Sequence, residues 1–374
     1  MTDLFFYGTL RYAALLELVL GRSGADLDTC PASLAGHGIF AVKGEIFPAI
    51  EERAGHAAHG VLVKGLSDED VAALNFYEGG FDYDLKDVVL QLQDGTEAVA
   101  SVYFPQPGLW QTGPAWNLEE WVANWGALTL RAAQEVMAYQ GRMSAAEVAR
   151  CFPSVRTRAA AWIAAQARQQ DPDHDLAEDV VVHTHKHAHL NFYGMEEMDL
   201  QFRRNDGSLS PVMNRCVALV GRAAVVLPYD PVRDEVLLVE QFRAATFIAG
   251  EQSPWMWEPV AGLVDPGETA EQAAHREAME EAGVVLETLE PVAQVYPSSG
   301  ASGEFIHIFV GIGDLSRREA GGGLASEGED IRCKVISFED LMVEVDAQRY
   351  LDMPLMTAAL WLARHRTRLR KPKT

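Results

Sequence analysis

Residues 262–284, GLVDPGETAEQAAHREAMEEAGV, constrain this chain more than any other stretch, because they set a turn, a helix start and a group of carboxylates at fixed spacing. Thr269 followed by Gln272 is a capping box, which satisfies the free backbone donors of a helix start, and Gly283 supplies a left-handed stop. The spacing predicts one helix over 270–282. At about 100° per residue, Glu277, Glu280 and Glu281 share about a third of its circumference within one turn. Like charges three and four residues apart destabilise a helix, so local packing gives no reason to gather them. Hard cations such as Mg²⁺ or Mn²⁺ prefer carboxylate oxygens and turn that repulsion into a binding site. This reading outweighs the plainer one of a solvated acidic face.

Gly262, Glu268, Arg276, Glu277, Glu280, Glu281 and Gly283, with apolar Ala278 and Val284, match every fixed position of the pattern G-x5-E-x7-R-E-U-x-E-E-x-G-U. The segment therefore resembles the Nudix box. The resemblance implies Mg²⁺-assisted hydrolysis of a nucleoside diphosphate linked to another moiety. It makes Glu277, Glu280, Glu281 and the carbonyl of Ala261 metal ligands, and Glu268 and Arg276 a structural ion pair. The flanking runs AAVVLPYDPVRDEVLLVEQFR (223–243), WMWEPVAGLVDPGE (255–268), YPSSGASGEF (296–305) and LASEGEDI (324–331) are similar to ADP-ribose pyrophosphatases, in the branch associated with tellurite resistance. The likeness covers roughly residues 178–366. It implies that Glu327 on a mobile loop is the general base for the attacking water, with Glu329 the runner-up. It also makes Arg243 a phosphate contact and Glu258 and Glu304 ribose or adenine contacts. Phe305 stands where the family often has arginine.

The amino-terminal third reads differently. DLFFYGTLRYAALLELVLGR is a β-rich run, a Gly-Thr turn and an apolar helix ending at Gly21. Strand, tight turn and helix start in succession leave backbone N–H groups able to hold an anion. With PASLAGHGIF, GEIFPAI, the HGVLVKGLSDEDVAALNFYEGGFDYDLKDVVLQL stretch and AVASVYF, the order resembles the γ-glutamylcyclotransferase-like (AIG2-like) fold over residues 3–105. That likeness implies that Tyr7, Gly8, Thr9 and Leu10 cradle a γ-glutamyl group and that Glu78 is the acid/base of a cyclisation releasing 5-oxoproline. Asn75 departs from the aspartate common in the motif. Phe76, Tyr77 and Phe81 around Glu78 favour its desolvation, which raises a carboxyl pKa.

Between these units, 110–139 and 144–170 show apolar residues at helical spacing, with Trp110, Trp116, Trp121 and Trp125 as core or interface aromatics. DPDHDLAED (171–179) reads as a polar linker. His183, His185, His187 and His189 alternate, so a strand would place them on one face; an exposed face or dimer surface is a simpler reading than Zn²⁺ or Cu²⁺ binding. The expected class is α+β and α/β. It comprises a small β-barrel with helices over 1–108, a helical connector over 109–178, and an α/β/α sandwich with mixed sheets over 179–374.

The net charge of −23 excludes nucleic-acid binding, which needs clustered cations; the basic run RHRTRLRKPKT reads as a frayed, solvated tail. Four widely spaced cysteines point to a reducing cytoplasm. No signal segment and no membrane span are expected. The combined expectation is a cytoplasmic, homodimeric ADP-ribose pyrophosphatase, pairing through residues 180–222, that yields AMP and ribose 5-phosphate. The alternative is a γ-glutamylcyclotransferase whose other half binds nucleotide.

Overall fold

Strand alternation builds the first unit. In the computed structural model, which describes residues 1–79, 83–318, 322–323, 328 and 330–370, Leu4 and Phe6 face one way along β1 (Thr2–Phe6) and Phe5 the other. Phe5 points into a ring closed by β2 (Asp28–Val42), β3 (Pro48–Leu66), β4 (Tyr83–Leu92) and β5 (Glu97–Pro105). The order is β3-β1-β5-β4-β2, and β2 pairs back onto β3, so five strands close a barrel. Only β1 and β5 pair in parallel. A sixth strand, β6 (Thr112–Ala115), extends β2, so residues 112–115, expected within a helix-spaced stretch, are extended.

Leu4 and Phe6 meet α1 (Ala13–Leu20), α2 (Asp68–Glu78), α3 (Leu118–Trp121) and α4 (Ala127–Met137) outside the barrel. Trp121 is buried there, while Trp110, Trp116 and Trp125 are half-buried. The helix α5 (Ala145–Gln166) is tied to α4 by a buried pair, Arg158 to Glu135 at 2.6 Å, and Arg158 also donates to the Phe192 carbonyl at 2.8 Å. This unit comprises Met1–Ala159, Ala165–Gln170 and His185–Gly194.

The other unit comprises Ala160–Ala164, Asp171–Thr184 and Met195–Thr374. After one exposed turn, α6 (Leu176–Asp179), strands β7 (Val180–Leu190), β8 (Gly194–Phe202) and β9 (Met213–Leu219) are hydrogen-bonded in that order, with His185–Gly194 counted in the first unit. His183 meets Gln201 at 2.8 Å, and the His185 and His187 rings lie 4.9 Å apart.

The main sheet centres on β10 (Arg222–Asp230). Its partners include β11 (Glu235–Phe242), β13 (Val260–Leu263) and β15 (Phe305–Ile312), the last in parallel; β12 (Trp255–Glu258), β14 (Thr288–Val295) and β16 (Arg332–Ser337) extend it. Alternation again assigns the faces. Ala224 and Val226 pack with the alanines of α8 (Ala270–Ala282), and Val225 and Leu227 with α9 (Phe338–Asp346) and α10 (Met353–Leu369). A short α7 (Ala244–Ile248) follows β11. The expected α/β/α sandwich is therefore present. The basic run differs from expectation: up to Leu369 it is helix, with Arg366 paired to Asp234 and Glu339 and Arg368 to Glu290 at 2.9 Å.

Candidate active sites

The helix α8 follows its sequence signals. Thr269 caps it through Gln272 in a reciprocal capping box, and Gly283 ends it at φ 62°. Ala273, Ala274, Ala278 and Ala282 are fully buried against the sheet, which fixes the rotation of the carboxylate face. Glu281 is 1% exposed, and its Oε2 accepts from the Ala261 N–H at 3.1 Å. The adjacent Gly262 is a close approach: a Cβ there would overlap the Glu277 carboxylate. Arg276 links the rest. It donates to Glu268 at 3.0 Å from both Nε and Nη2, to Glu277 at 2.6 Å, to Glu280 at 3.1 Å and to the Leu263 carbonyl at 3.1 Å. The hydrogen bond from Arg276, together with its charge, holds the Glu268 carboxyl below its usual range despite burial.

Glu277, Glu280 and Glu281 offer carboxylate oxygens around one helix turn, a hard-oxygen donor type suited to a divalent cation. Two features of the chain fit that role. Glu281 is a carboxyl kept inside the protein, and Gly262 leaves the room that Glu277 occupies.

A second cluster lies in the same unit. Arg243, at the end of β11, donates to Glu258 at 2.8 Å from Nε and pairs with it at 2.6 Å from Nη2. Burial works against the Arg243 cation, but the hydrogen bond and charge of Glu258 outweigh it, and Glu281 adds to the same field. Burial raises the Glu304 carboxyl, and Arg243 partly offsets this. Asp352 belongs here too, although the sequence reading passed over it: burial pushes its carboxyl to about 6, with Glu258 adding to the shift and Arg243 opposing it. Its visible signal was that of a helix cap, accepting from Leu355 N–H at 2.7 Å, which does not announce a site. Phe305 is buried, its ring 5.0 Å from Tyr296 and 5.4 Å from His307, so an apolar side chain occupies the position where the resembled family often carries a cation. Glu327 and Glu329 lie outside the described residues, as does Phe81.

The barrel unit has its own cavity, about 810 Å³ including its open mouth. Tyr7, Gly8, Thr9 and Leu10 line it, and so does Glu78. Burial pushes the Glu78 carboxyl up to about 7. Tyr7, Tyr77, Tyr83 and Tyr103 are held above the usual phenol range by burial first and by the Glu78 charge as well. Asn75 accepts from the Tyr103 hydroxyl at 2.6 Å, so the departure from aspartate leaves a neutral acceptor beside that ring.

An α/β/α sandwich that carries three glutamates on one helix turn, one of them on a strand N–H, has the build of a hydrolase domain with oxygen donors of the kind a divalent cation takes. Residues 219–354 match the NUDIX domain family, and residues 4–123 match the family described as gamma-glutamyl cyclotransferase, AIG2-like. An ADP-ribose pyrophosphatase of Escherichia coli K12 is 36% identical over 51% of this chain and 91% of its own length. One from Haemophilus influenzae is 34% identical over 44% of this chain and 77% of its length. A GDP-mannose pyrophosphatase of Cronobacter sakazakii is 33% identical over 41% of this chain and 80% of its length. The chain belongs to the Nudix hydrolases, with an AIG2-like domain ahead of the hydrolase domain in sequence. Among the described residues, no helix is long and apolar enough to cross a membrane.

Proposed function

We propose that the carboxy-terminal domain hydrolyses ADP-ribose to AMP and ribose 5-phosphate, using Mg²⁺ or Mn²⁺. The observation that supports this reading is that Glu281 accepts from the Ala261 N–H and the Glu277 carboxylate lies against Gly262, with Arg276 joining Glu277 to Glu280, while Arg243, paired with Glu258, also feels the charge of Glu281. The names of the similar pyrophosphatases support the substrate. Glu277, Glu280, Glu281 and the Ala261 carbonyl would hold the ions, which when bound neutralise the diphosphate oxygens and lower the pKa of bound water. Arg243 would meet a phosphate oxygen, exchanging part of its hold on Glu258, and Glu258 and Glu304 would accept from sugar or base N–H and O–H groups. Water oxygen bonds to one phosphorus, the bridging P–O bond breaks, and the water proton goes to Glu327 as base, with Glu329 the second candidate. The enzyme is read as a cytoplasmic homodimer paired through residues 180–222.

A second reading is favoured by the barrel cavity: γ-glutamylcyclotransferase activity, with Tyr7, Gly8, Thr9 and Leu10 cradling the γ-glutamyl group and Glu78 moving the proton. A carboxyl near 7 is poised for acid/base work at neutral pH.

One pair of assays on the full chain tests both. Glu281→Gln abolishes AMP release from ADP-ribose with Mg²⁺ and leaves 5-oxoproline release from γ-glutamyl peptides unchanged; Glu78→Gln does the reverse. EDTA stops the first reaction only. Full AMP release by Glu281→Gln would refute the metal assignment.

A further inference from the structure

The barrel has a second opening that shares no lining residue with the Glu78 cavity. Among the described residues β2 pairs with β4 only through Ala32 with Leu92 and Ser33 with Gln91, although β4 begins at Tyr83 and β2 runs on to Val42. The register of β2 on β3 shifts between Ala35 and His37, with Gly36 at φ 73°, and such a bulge bends a strand. The outer part of the β2 and β3 ribbon therefore leaves β4. The result is a cleft in the barrel wall of about 1130 Å³ including its open mouth. His37 from β2, Glu51 and Glu52 from β3, Asp87 from β4, Phe104 from β5 and Trp110 line it.

We propose that this cleft is a binding site, separate from the Glu78 cavity, for a small organic ammonium ion that carries a hydrogen-bond acceptor. Three features carry the inference. The walls hold three acidic side chains, Glu51, Glu52 and Asp87, against one lysine, Lys86. Asp87 Oδ1 accepts from the Ser101 hydroxyl at 2.6 Å and Glu51 Oε1 from the Thr112 hydroxyl at 2.7 Å, which fixes both carboxyl groups in place. Aromatic faces attract cations, and the cleft shows this within the chain itself, where Lys86 Nζ stands over the Phe104 ring at 5.8 Å. The third feature is the Trp110 indole N–H, which is buried with no acceptor among the described residues. Buried donors are nearly always satisfied, so this one calls for an acceptor. It is also held in position. The next residue's carbonyl, on Gln111, accepts from the Lys43 N–H at 2.8 Å, and the Phe47 ring packs edge to face with the indole at 5.2 Å. Acidic oxygens and ring faces suit the ammonium group, and the indole suits an oxygen close to it on the ligand. The site concerns binding alone and is independent of either hydrolysis or cyclisation.

Calorimetric titration of the full chain with phenethylamine, 2-amino-1-phenylethanol and 2-phenylethanol tests it. Phenethylamine should bind about tenfold more tightly than 2-phenylethanol, equivalent to ~1.4 kcal/mol, and 2-amino-1-phenylethanol more tightly again. Glu51→Gln combined with Asp87→Asn keeps the shape of both groups and should erase the preference for the amines. Trp110→Phe should erase only the gain from the added hydroxyl, and it decides alone if thermal melting shows that the double variant does not fold. Glu78→Gln should change neither effect. Equal binding of amine and alcohol, an unchanged preference in the folded double variant, an unchanged hydroxyl gain in Trp110→Phe, loss of amine binding in Glu78→Gln, or no saturable binding of any probe would each overturn the proposal.

Discussion

Glu78 and Glu281 show how one residue type acquires two roles from its surroundings. Glu281 accepts a hydrogen bond from a strand N–H, whereas Glu78 sits among aromatic rings. Burial raises the Glu78 pKa from an unfolded value near 4.5 to about 7 in the native protein, so between those values the folded state binds more protons than the unfolded state. Stability from this group is therefore complete below about pH 4.5, falls as pH rises, and is lost above about 7. The tyrosines facing it, Tyr7, Tyr77, Tyr83 and Tyr103, titrate well above this window. Glu78→Gln should accordingly raise Tm at pH 8 and leave it nearly unchanged at pH 5, measured by calorimetry. An equal rise at both pH values would mean that the substitution acts through packing.

At the scale of elements, β13 and α8 meet closely at Gly262. Gly262 has no side chain to compete with Glu277, and an added methyl would meet the movable end of that glutamate rather than backbone. Gly262→Ala should therefore cost little stability, within about 1 kcal/mol, because the carboxylate can swing aside. The Mg²⁺ concentration giving half-maximal activity should rise at least about tenfold, or ~1.4 kcal/mol. A large fall in Tm with unchanged metal dependence would show instead that the glycine serves packing alone. This element was legible in advance. Its start and stop are local signals, Thr269 with Gln272 and Gly283, and the observed helix spans the expected residues. What the sequence could not disclose depends on distant partners. The parallel pairing of Leu4 with Ser101 that helps close the barrel joins residues far apart in the chain. The carboxy-terminal arginines look like a solvated run until Asp234, Glu339 and Glu290 are brought beside them. Asp352 reads as a cap because capping is all that its neighbours in sequence reveal.

Over the whole molecule, charge and function pull in opposite directions. The chain carries −23, yet its proposed substrate is a dianionic diphosphate. The cations that counter this are local: Arg243 at the substrate cluster and Arg276 across the glutamates of α8. Neither reaches beyond the Debye length, about 10 Å at 0.1 M salt, so an approaching anion first meets the field of the net charge. Enzymes steered toward their substrates lose rate as salt screens the attraction; here screening should remove repulsion. With Mg²⁺ saturating, kcat/KM for ADP-ribose should rise by roughly twofold or more between low salt and ~0.15 M, while kcat stays level because the bound complex is shielded from bulk ions. Stopped-time AMP assays over a potassium chloride series check this. A decline in kcat/KM over the same range would mean that the site's own cations dominate the long-range field, and that the overall acidity has no bearing on substrate capture.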